Sequence, residues 1–267
     1  MTETLHNGRL HIPGGAMDFI CFGRGAKTLV LLPGVGDGLK TVRGTALPFS
    51  LLYRSLAKDF MVYMFSRREN LPAHMTTRKM AEDLNAAMEI LDLRRASVVG
   101  VSQGGMIAQW LAIDHPDKVD KLVLTVTLSR PNDMIRDAVA CWTDMARRGD
   151  YQGILLDTAE RSYSEKRLKT ARIEYRLLGN FGKPKSFDRF LTLAESCVTH
   201  DAYDALPRIG CPTLVIGGTD DRIVSGRASE EIAERIPGSR LLMYDGLGHG
   251  LYEEAPDFLA RVVDFCR

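Results

Sequence analysis

Short apolar runs alternate with helical patterns along most of the chain. Six of these runs are rich in Val, Ile, Leu or aromatic residues and are bounded by turn residues, which is typical of buried parallel strands. They are Thr28–Leu32, Met61–Phe65, Ser97–Val101, Leu122–Thr127, Thr213–Ile216 and Leu241–Tyr244. Two earlier segments, Leu10–Ile12 and Asp18–Phe22, flank Pro13-Gly14-Gly15, which indicates an antiparallel hairpin.

Helices are predicted between the strands, where apolar residues recur three and four positions apart. Met80, Leu84, Ala87, Met88 and Leu91 form one face of such a helix. Thr76 or Thr77 is its expected N-cap. Strands that alternate with helices indicate βαβ units, so the expected fold class is α/β, with a mostly parallel central sheet covered by helices on both faces. The other predicted helices run from Met106 to Ile113, from Ile232 to Ile236 and from Phe258 to Phe265.

One connection between predicted strands is several times longer than a crossover requires. Residues 130–207 contain helical periods of their own, such as Ile135, Val139, Trp142 and Ala146. We therefore predict a helical cap of about four helices at 130–207, inserted between two sheet strands, and a core domain formed by 1–129 and 208–267. The expected breaks between the cap helices are at Gly149, Gly153, Gly179-Asn180 and Gly182-Lys183-Pro184.

Composition excludes several classes of protein. The 267 residues carry 35 Lys plus Arg against 34 Asp plus Glu, a net charge of +1. This balance gives no basic stripe for nucleic acid and no polybasic patch for an anionic membrane, so neither is an expected partner. The five cysteines are widely spaced and form no Cys-x-x-Cys pair, which argues against a disulfide framework or a zinc site. Without a signal-peptide pattern or a long apolar run, we expect a cytoplasmic protein, as a possible homodimer.

A serine in a glycine-flanked turn is the strongest chemical signal. Gly100-Val101-Ser102-Gln103-Gly104 matches G-x-S-x-G. That pattern is common by chance, but here a predicted strand leads into it and a predicted helix follows. This context is what a nucleophile elbow requires, because the sharp turn lifts the serine hydroxyl clear of the sheet. Ser102 is therefore the candidate nucleophile.

A base and an acid are expected to complete the site, because a serine hydroxyl is a weak nucleophile by itself. His249 follows the last predicted strand, at the sheet edge where catalytic groups of open α/β sheets gather. Asp220 and Asp221 follow the strand Thr213–Ile216 at the same edge, and either could orient the imidazole. The chain order serine, acid, histidine is that of α/β-hydrolases rather than of chymotrypsin or subtilisin.

The sequence resembles the α/β-hydrolase superfamily over nearly its whole length. It is similar to the cofactor-free group that contains carboxylesterases, enol-lactonases and perhydrolase-type enzymes. The resemblance favours Asp221 as the acid, because relatives often follow it with Arg or Pro and two apolar residues. The matching motifs are Leu31-Leu32-Pro33-Gly34-Val35-Gly36, the run from Gly100 to Trp110, Gly218-Thr219-Asp220-Asp221-Arg222-Ile223-Val224, and Gly248-His249-Gly250 before Glu253-Glu254-Ala255-Pro256.

Stabilisation of an oxyanion needs two hydrogen-bond donors. Gln103 offers its backbone N–H at the start of a helix, where the helix dipole also favours negative charge. The resemblance implies that the backbone N–H of Val35 is the second donor, although Pro33-Gly34 stands where many relatives have His-Gly. It also implies that no cofactor is needed.

These expectations combine into a serine hydrolase of small carboxylic esters or lactones that works through an acyl-enzyme on Ser102. One alternative keeps the triad and changes the reaction, as in C–C bond hydrolases or perhydrolases. Another, without turnover, is an α/β-hydrolase-fold receptor for a small ligand.

Overall fold

The computed structural model describes residues 4–267, and its centre is one eight-stranded sheet. The strands are β1 (Thr4–Ile12), β2 (Gly15–Gly23), β3 (Lys27–Leu32), β4 (Phe60–Phe65), β5 (Ala96–Val101), β6 (Val119–Thr125), β7 (Thr213–Gly218) and β8 (Arg240–Tyr244). Their order in the sheet is β1-β2-β4-β3-β5-β6-β7-β8. This mostly parallel sheet confirms the α/β fold class.

The register of the parallel strands determines which loops meet. β1 and β2 form the predicted antiparallel hairpin, and β2 pairs antiparallel with β4. From β4 to β8 all pairs are parallel. Leu32 pairs with Gly100, and Val101 pairs with Thr125, so β3, β5 and β6 end together. The loops that follow these strands therefore meet at one edge of the sheet.

Helices pack on both faces of the sheet. Their bounds are α1 (Ala46–Leu52), α2 (Arg54–Asp59), α3 (Thr77–Ile90), α4 (Gln103–Asp114), α5 (Asp133–Arg147), α6 (Tyr151–Ser162), α7 (Glu165–Leu178), α8 (Asp188–Val198), α9 (Gly226–Arg235), α10 (Leu251–Glu254) and α11 (Phe258–Cys266). α3, α4 and α9 contribute to one apolar core, and α2 and α11 contribute to the other. Alternate residues of the inner strands serve the two cores: Val98 lies in the first and Val99 in the second, as period-two strands require.

Four helices, α5 to α8, lie between β6 and β7, where the long connection was predicted. We call this segment, residues 133–198, the insertion. Ile135, Val139 and Trp142 of α5 pack with Phe190 and Ala194 of α8 in a third apolar cluster. The same cluster includes Leu128 after β6 and Ile223 and Val224 after β7, so the insertion packs directly on the loops that follow these strands.

Local conformation differs from the prediction at two positions. β6 ends at Thr125 rather than Thr127 because Val126 has a φ of +43°, which a strand does not accept. Gly153 was predicted to break a helix, but it lies within α6, where its N–H donates to Asp150 Oδ1 at 2.8 Å as part of the N-cap. A β-carbon at Gly153 would lie 2.3 Å from Asp150 Oδ2, so this glycine makes room for the cap rather than ending a helix.

Within residues 4–267, no helix is both long enough and apolar enough to cross a bilayer.

Candidate active site

Ser102 occupies the sharp turn between β5 and α4. Its φ of +54° and ψ of −121° lie outside the regions that non-glycine residues prefer. Such a conformation costs about 1–3 kcal/mol and persists only where the surroundings hold it. Ser102 N donates to Thr125 O at 2.9 Å, and Ser102 O accepts from Thr127 Oγ1 at 2.8 Å. The end of β6 and the segment just after it thus hold the serine backbone in its strained turn.

The glycines around Ser102 are required by close backbone contacts. A β-carbon at Gly100 would lie 2.5 Å from Gly104 O, and one at Gly104 would lie 2.1 Å from Leu32 O. Side chains at these positions would push α4 away from β5 and β3. The G-x-S-x-G pattern therefore reflects the packing that presents Ser102.

His249 is held by Asp221. His249 Nδ1 lies 2.8 Å from Asp221 Oδ2, and both residues are buried. Asp221 Oδ1 accepts from the backbone N–H groups of Ile223 at 2.8 Å and Val224 at 2.9 Å. One carboxylate oxygen is thus fixed by two backbone amides while the other faces the ring, an arrangement that can orient the imidazole and stabilise a positive charge on it. The other candidate acid, Asp220, is exposed and interacts with Thr219 Oγ1 at 3.1 Å.

The loop that carries His249 is in contact with the end of α6. Gly250 N donates to Ser162 O at 2.9 Å. A β-carbon at Gly248 would lie 2.6 Å from that same oxygen, and one at Gly250 would lie 2.6 Å from the Tyr163 ring. The two glycines beside His249 therefore let the insertion approach the loop closely.

The two predicted oxyanion donors belong to segments close to Ser102. Gln103 is the first residue of α4, so its N–H has no partner within the helix. Val35 begins the 3₁₀ turn Val35–Gly38 that follows β3. A β-carbon built on Gly34 would lie 3.8 Å from Ser102 Oγ, so the loop before Val35 passes directly beside the hydroxyl.

A cavity of about 560 Å³ brings these groups together, because Val35, Ser102 and His249 all line it. Its size is within the range of sites for small organic ligands. Most of its wall is apolar, with contributions from the core and from the insertion. The apolar wall includes Val42, Phe49, Leu52, Met64, Trp142 and Ile223.

Among the described residues, no hydrogen bond joins the Ser102 hydroxyl to His249. Both side chains line the same cavity, but they are not hydrogen-bonded to each other. Hydrogen bonds between catalytic groups are often loose before the substrate binds and tighten with it.

Three charged residues at the site were missed by sequence reasoning: Asp37, Arg67 and Arg189. Asp37 lines the cavity and is buried, and Arg189 of α8 donates to its Oδ2 at 2.6 Å. Arg67 is buried beside them and donates to the Gln103 side chain at 3.1 Å. None of the three belongs to a motif, and only the tertiary fold brings them together.

Residues 4–267 contain no cluster of three His, Cys, Asp or Glu side chains arranged to bind a metal ion.

His200, a histidine not assigned to the site, is buried behind α4. Its Nδ1 lies 2.8 Å from Thr77 Oγ1, and its Nε2 lies 3.4 Å from Gln109 Oε1. Burial lowers the pKa of His200 to about 3. The imidazole is therefore neutral in the folded protein, and it satisfies two buried polar neighbours.

This burial makes stability depend on pH. Because the folded pKa is below the unfolded value of about 6.5, the unfolded chain binds the proton more readily. The contribution of His200 is fully present above pH 6.5 and is lost as the pH falls toward 3. At pH 5 we expect a loss of about 2 kcal/mol in the free energy of unfolding. His200→Gln should be less stable at pH 7 but should lose about 2 kcal/mol less than the wild type between pH 7 and pH 5.

Urea unfolding at the two pH values measures this difference. Burial raises the pKa of Asp83 to about 6, so Asp83 makes the folded state more stable as the pH falls. Its contribution is the same in the wild type and in His200→Gln and cancels in the comparison. His11→Gln, at an exposed position of β1, serves as the control. Equal pH dependence in the wild type and His200→Gln would contradict the prediction.

Comparisons with known proteins agree with this architecture. A family model described as the alpha/beta hydrolase fold matches residues 27–256. The chain is 30% identical over 253 residues to "Putative carbamate hydrolase RutD" of Caulobacter sp. (strain K31), covering 90% of each protein. It is 30% identical over 186 residues to the pimeloyl-[acyl-carrier protein] methyl ester esterase of Neisseria meningitidis (strain H44/76), covering 64% of this chain and 68% of that protein.

A solved structure gives the same fold. The enol-lactonase from Burkholderia xenovorans LB400 superimposes with a TM-score of 0.81 at 21% identity, covering 97% of this chain and 99% of that one. With the family match over most of the chain, these findings show that the protein belongs to the α/β-hydrolase family and is a hydrolase.

Proposed function

We propose that this hydrolase cleaves carboxylic esters or lactones through an acyl-enzyme on Ser102. The observation that carries the proposal is the arrangement around one apolar cavity. A strained, glycine-flanked serine and a histidine paired with a buried aspartate both face that cavity. This combination suits attack on an acyl carbon.

The proposed first step is attack by Ser102 Oγ on the acyl carbon. His249 Nε2 takes the hydroxyl proton, since Nδ1 is engaged with Asp221. The carbonyl π electrons move to oxygen, and the resulting oxyanion is bound by the N–H groups of Val35 and Gln103. His249 then returns the proton to the leaving alkoxide, and the acyl group remains on Ser102.

The second step repeats the same proton transfers with water. His249 takes a proton from water, which attacks the acyl-enzyme, and the oxyanion forms at the same two amides. Collapse of this intermediate returns the proton to Ser102 Oγ and releases the acid. In a lactone the leaving alcohol stays attached to the acyl chain, so the product is a single hydroxy acid.

The cavity supports a substrate whose acyl part is largely apolar. Trp142 of the insertion and Phe49 of α1 belong to its wall. Trp142 Nε1 donates to Asp157 Oδ2 at 2.8 Å, so its polar edge is satisfied within the insertion. The insertion thus contributes to the shape of the acyl site without supplying any of the proposed triad.

Carbamates are a second candidate class. The similarity to a protein named as a carbamate hydrolase extends over 90% of the chain, farther than the match to the methyl ester esterase. A carbamate also presents an acyl carbon to a serine nucleophile, so the same residues would act on it.

A substrate panel with a covalent probe tests the proposal. We expect steady, multiple turnover of p-nitrophenyl esters from acetate to decanoate or of γ- and δ-lactones, at higher kcat/KM than N-alkyl p-nitrophenyl carbamates. A fluorophosphonate should add one mass label, on the peptide that contains Ser102. The loss of turnover should be proportional to the fraction of enzyme that is labelled. A label on another residue would contradict the mechanism, and faster turnover of the carbamates would favour the second class.

A further inference from the structure

Arg67 is a buried arginine whose guanidinium has two acceptors, one in the loop after β3 and one in the first turn of α4. It lies two residues after the end of β4 and is only 5% exposed. Its Nη2 donates to Pro33 O at 2.5 Å and to Gln103 Oε1 at 3.1 Å. A buried charge is costly unless it is hydrogen-bonded, so both contacts are structurally important.

The two acceptors belong to the two segments that carry the proposed oxyanion donors. Pro33 lies two residues before Val35, and Gln103 is itself the other donor through its backbone N–H. One guanidinium nitrogen therefore links the loop after β3 to the first turn of α4. A shift of Arg67 would change the distance between the amides of Val35 and Gln103.

Arg67 is in turn held in place by hydrogen bonds to its backbone N–H and C=O groups. Its N–H donates to Asp37 Oδ2 at 2.9 Å, and Asp37 lies in the same 3₁₀ turn as Val35. Arg189 Nη2 donates to Asp37 Oδ2 at 2.6 Å and to Arg67 O at 2.9 Å. The charge of Asp37 is thereby compensated.

The Gln103 side chain is fixed from its other end by α8. Gln103 Nε2 donates to Leu193 O at 2.7 Å and to Ser196 Oγ at 3.0 Å. Its Oε1 is left for Arg67, so the amide cannot turn over without losing these contacts. These hydrogen bonds fix the orientation of the Gln103 amide, and together they join the loop after β3, the start of α4 and α8.

We propose that Arg67 is a positioning residue, which sets the separation of the Val35 and Gln103 amides so that they fit the oxyanion of the transition state. The inference rests on the proposed function. Amides placed for the oxyanion stabilise the transition state more than the substrate carbonyl, so their misplacement lowers kcat rather than raising KM.

Arg67→Met tests the proposal, because methionine fills much of the space and donates no hydrogen bond. Misplacement by a fraction of an ångström to 1 Å should lower kcat by about 10- to 100-fold, with KM unchanged within about threefold. Arg67→Lys, which can still donate to Pro33 O, should recover part of the loss. Arg68→Met is the control, because Arg68 lies in the same loop and pairs with Asp83 rather than with either oxyanion loop.

Inhibitor binding separates positioning from a general loss of structure. An alkyl trifluoromethyl ketone accepts Ser102 Oγ at its carbonyl carbon, the hydroxyl proton goes to His249, and the carbonyl oxygen becomes an oxyanion. Its Ki should rise in Arg67→Met by the same factor as kcat/KM falls. The Ki of the corresponding methyl ketone, bound as the intact carbonyl, should stay within about threefold.

Several outcomes would overturn the inference. Equal kinetics in Arg67→Met and Arg68→Met, or a loss confined to KM, would show that Arg67 serves only the fold. If Arg67→Met does not fold, Gln103→Met offers a second test, because it removes the acceptor but keeps the backbone donor. Its Ki for the trifluoromethyl ketone should rise, whereas its Ki for the methyl ketone should stay within about threefold. Equal changes in both Ki values would refute the proposal. If the wild type neither turns over the ester panel nor binds the trifluoromethyl ketone at Ser102, the proposed function itself fails.

Discussion

Ser102→Ala should lower kcat by about a million-fold, to the background of the assay, as expected when the nucleophile of a serine hydrolase is removed. Alanine keeps the β-carbon and adds no bulk, so the strained turn and the cavity should be preserved. The variant should therefore fold and bind a substrate analogue with wild-type affinity. Loss of the fluorophosphonate label should accompany the loss of turnover.

Ser162→Ala is the matched control for this experiment. Ser162 lines the same cavity and is buried, and the contact it offers to the His249 loop comes from its backbone oxygen. Its kcat should stay within a few-fold of the wild type. Substantial ester turnover by Ser102→Ala, confirmed at several enzyme concentrations, would exclude Ser102 as the nucleophile.

Asp221→Asn should lower kcat by about four orders of magnitude, whereas Asp220→Asn should change it by only a few-fold. In the wild type, Asp221 Oδ1 accepts from Ile223 and Val224, and Oδ2 faces His249 Nδ1. The single oxygen of asparagine is expected to keep the two backbone bonds. Its NH₂ group then faces Nδ1, which can accept only when it carries no proton. The proton of the neutral imidazole would be forced onto Nε2, and His249 could not accept the proton of Ser102.

Circular dichroism and thermal unfolding should first establish that both aspartate variants are folded. Asp220 lies at an exposed turn, so its amide variant controls for the removal of one negative charge near the site. A severe loss in Asp220→Asn alone would reverse the assignment. Mild effects in both variants would mean that another carboxylate serves His249.

Much of the fold was predictable because its signals are local. Buried parallel strands form short apolar runs, and the predicted run Ser97–Val101 differs from β5 by one residue. α1 and α2 were not anticipated. α1 has Leu47, Leu51 and Leu52 on the surface, so its apolar residues do not mark a buried face in the usual way. The α/β class was confirmed despite this omission.

The candidate site could be predicted where one short segment contains both a candidate residue and the turn that presents it. Ser102 with Gln103 and His249 with its glycines are of this kind. Asp220 and Asp221 could not be separated by spacing, because the choice depends on the backbone amides that surround one carboxylate. Arg67 and Arg189 are 122 residues apart in the sequence, so no local pattern could reveal their meeting at Asp37.

The insertion contacts both the segments that carry the proposed oxyanion donors and the loop that carries His249, and this limits how the enzyme can be engineered. α8 holds the oxyanion side through Arg189 and the acceptors of Gln103, and Ser162 holds the His249 loop. An insertion transplanted from another hydrolase would therefore replace the residues that support the oxyanion segments and the His249 loop, as well as part of the cavity wall. A chimera would need to retain this chain's residues 162–164 and 189–197, with only the remaining helical surfaces exchanged to alter substrate range.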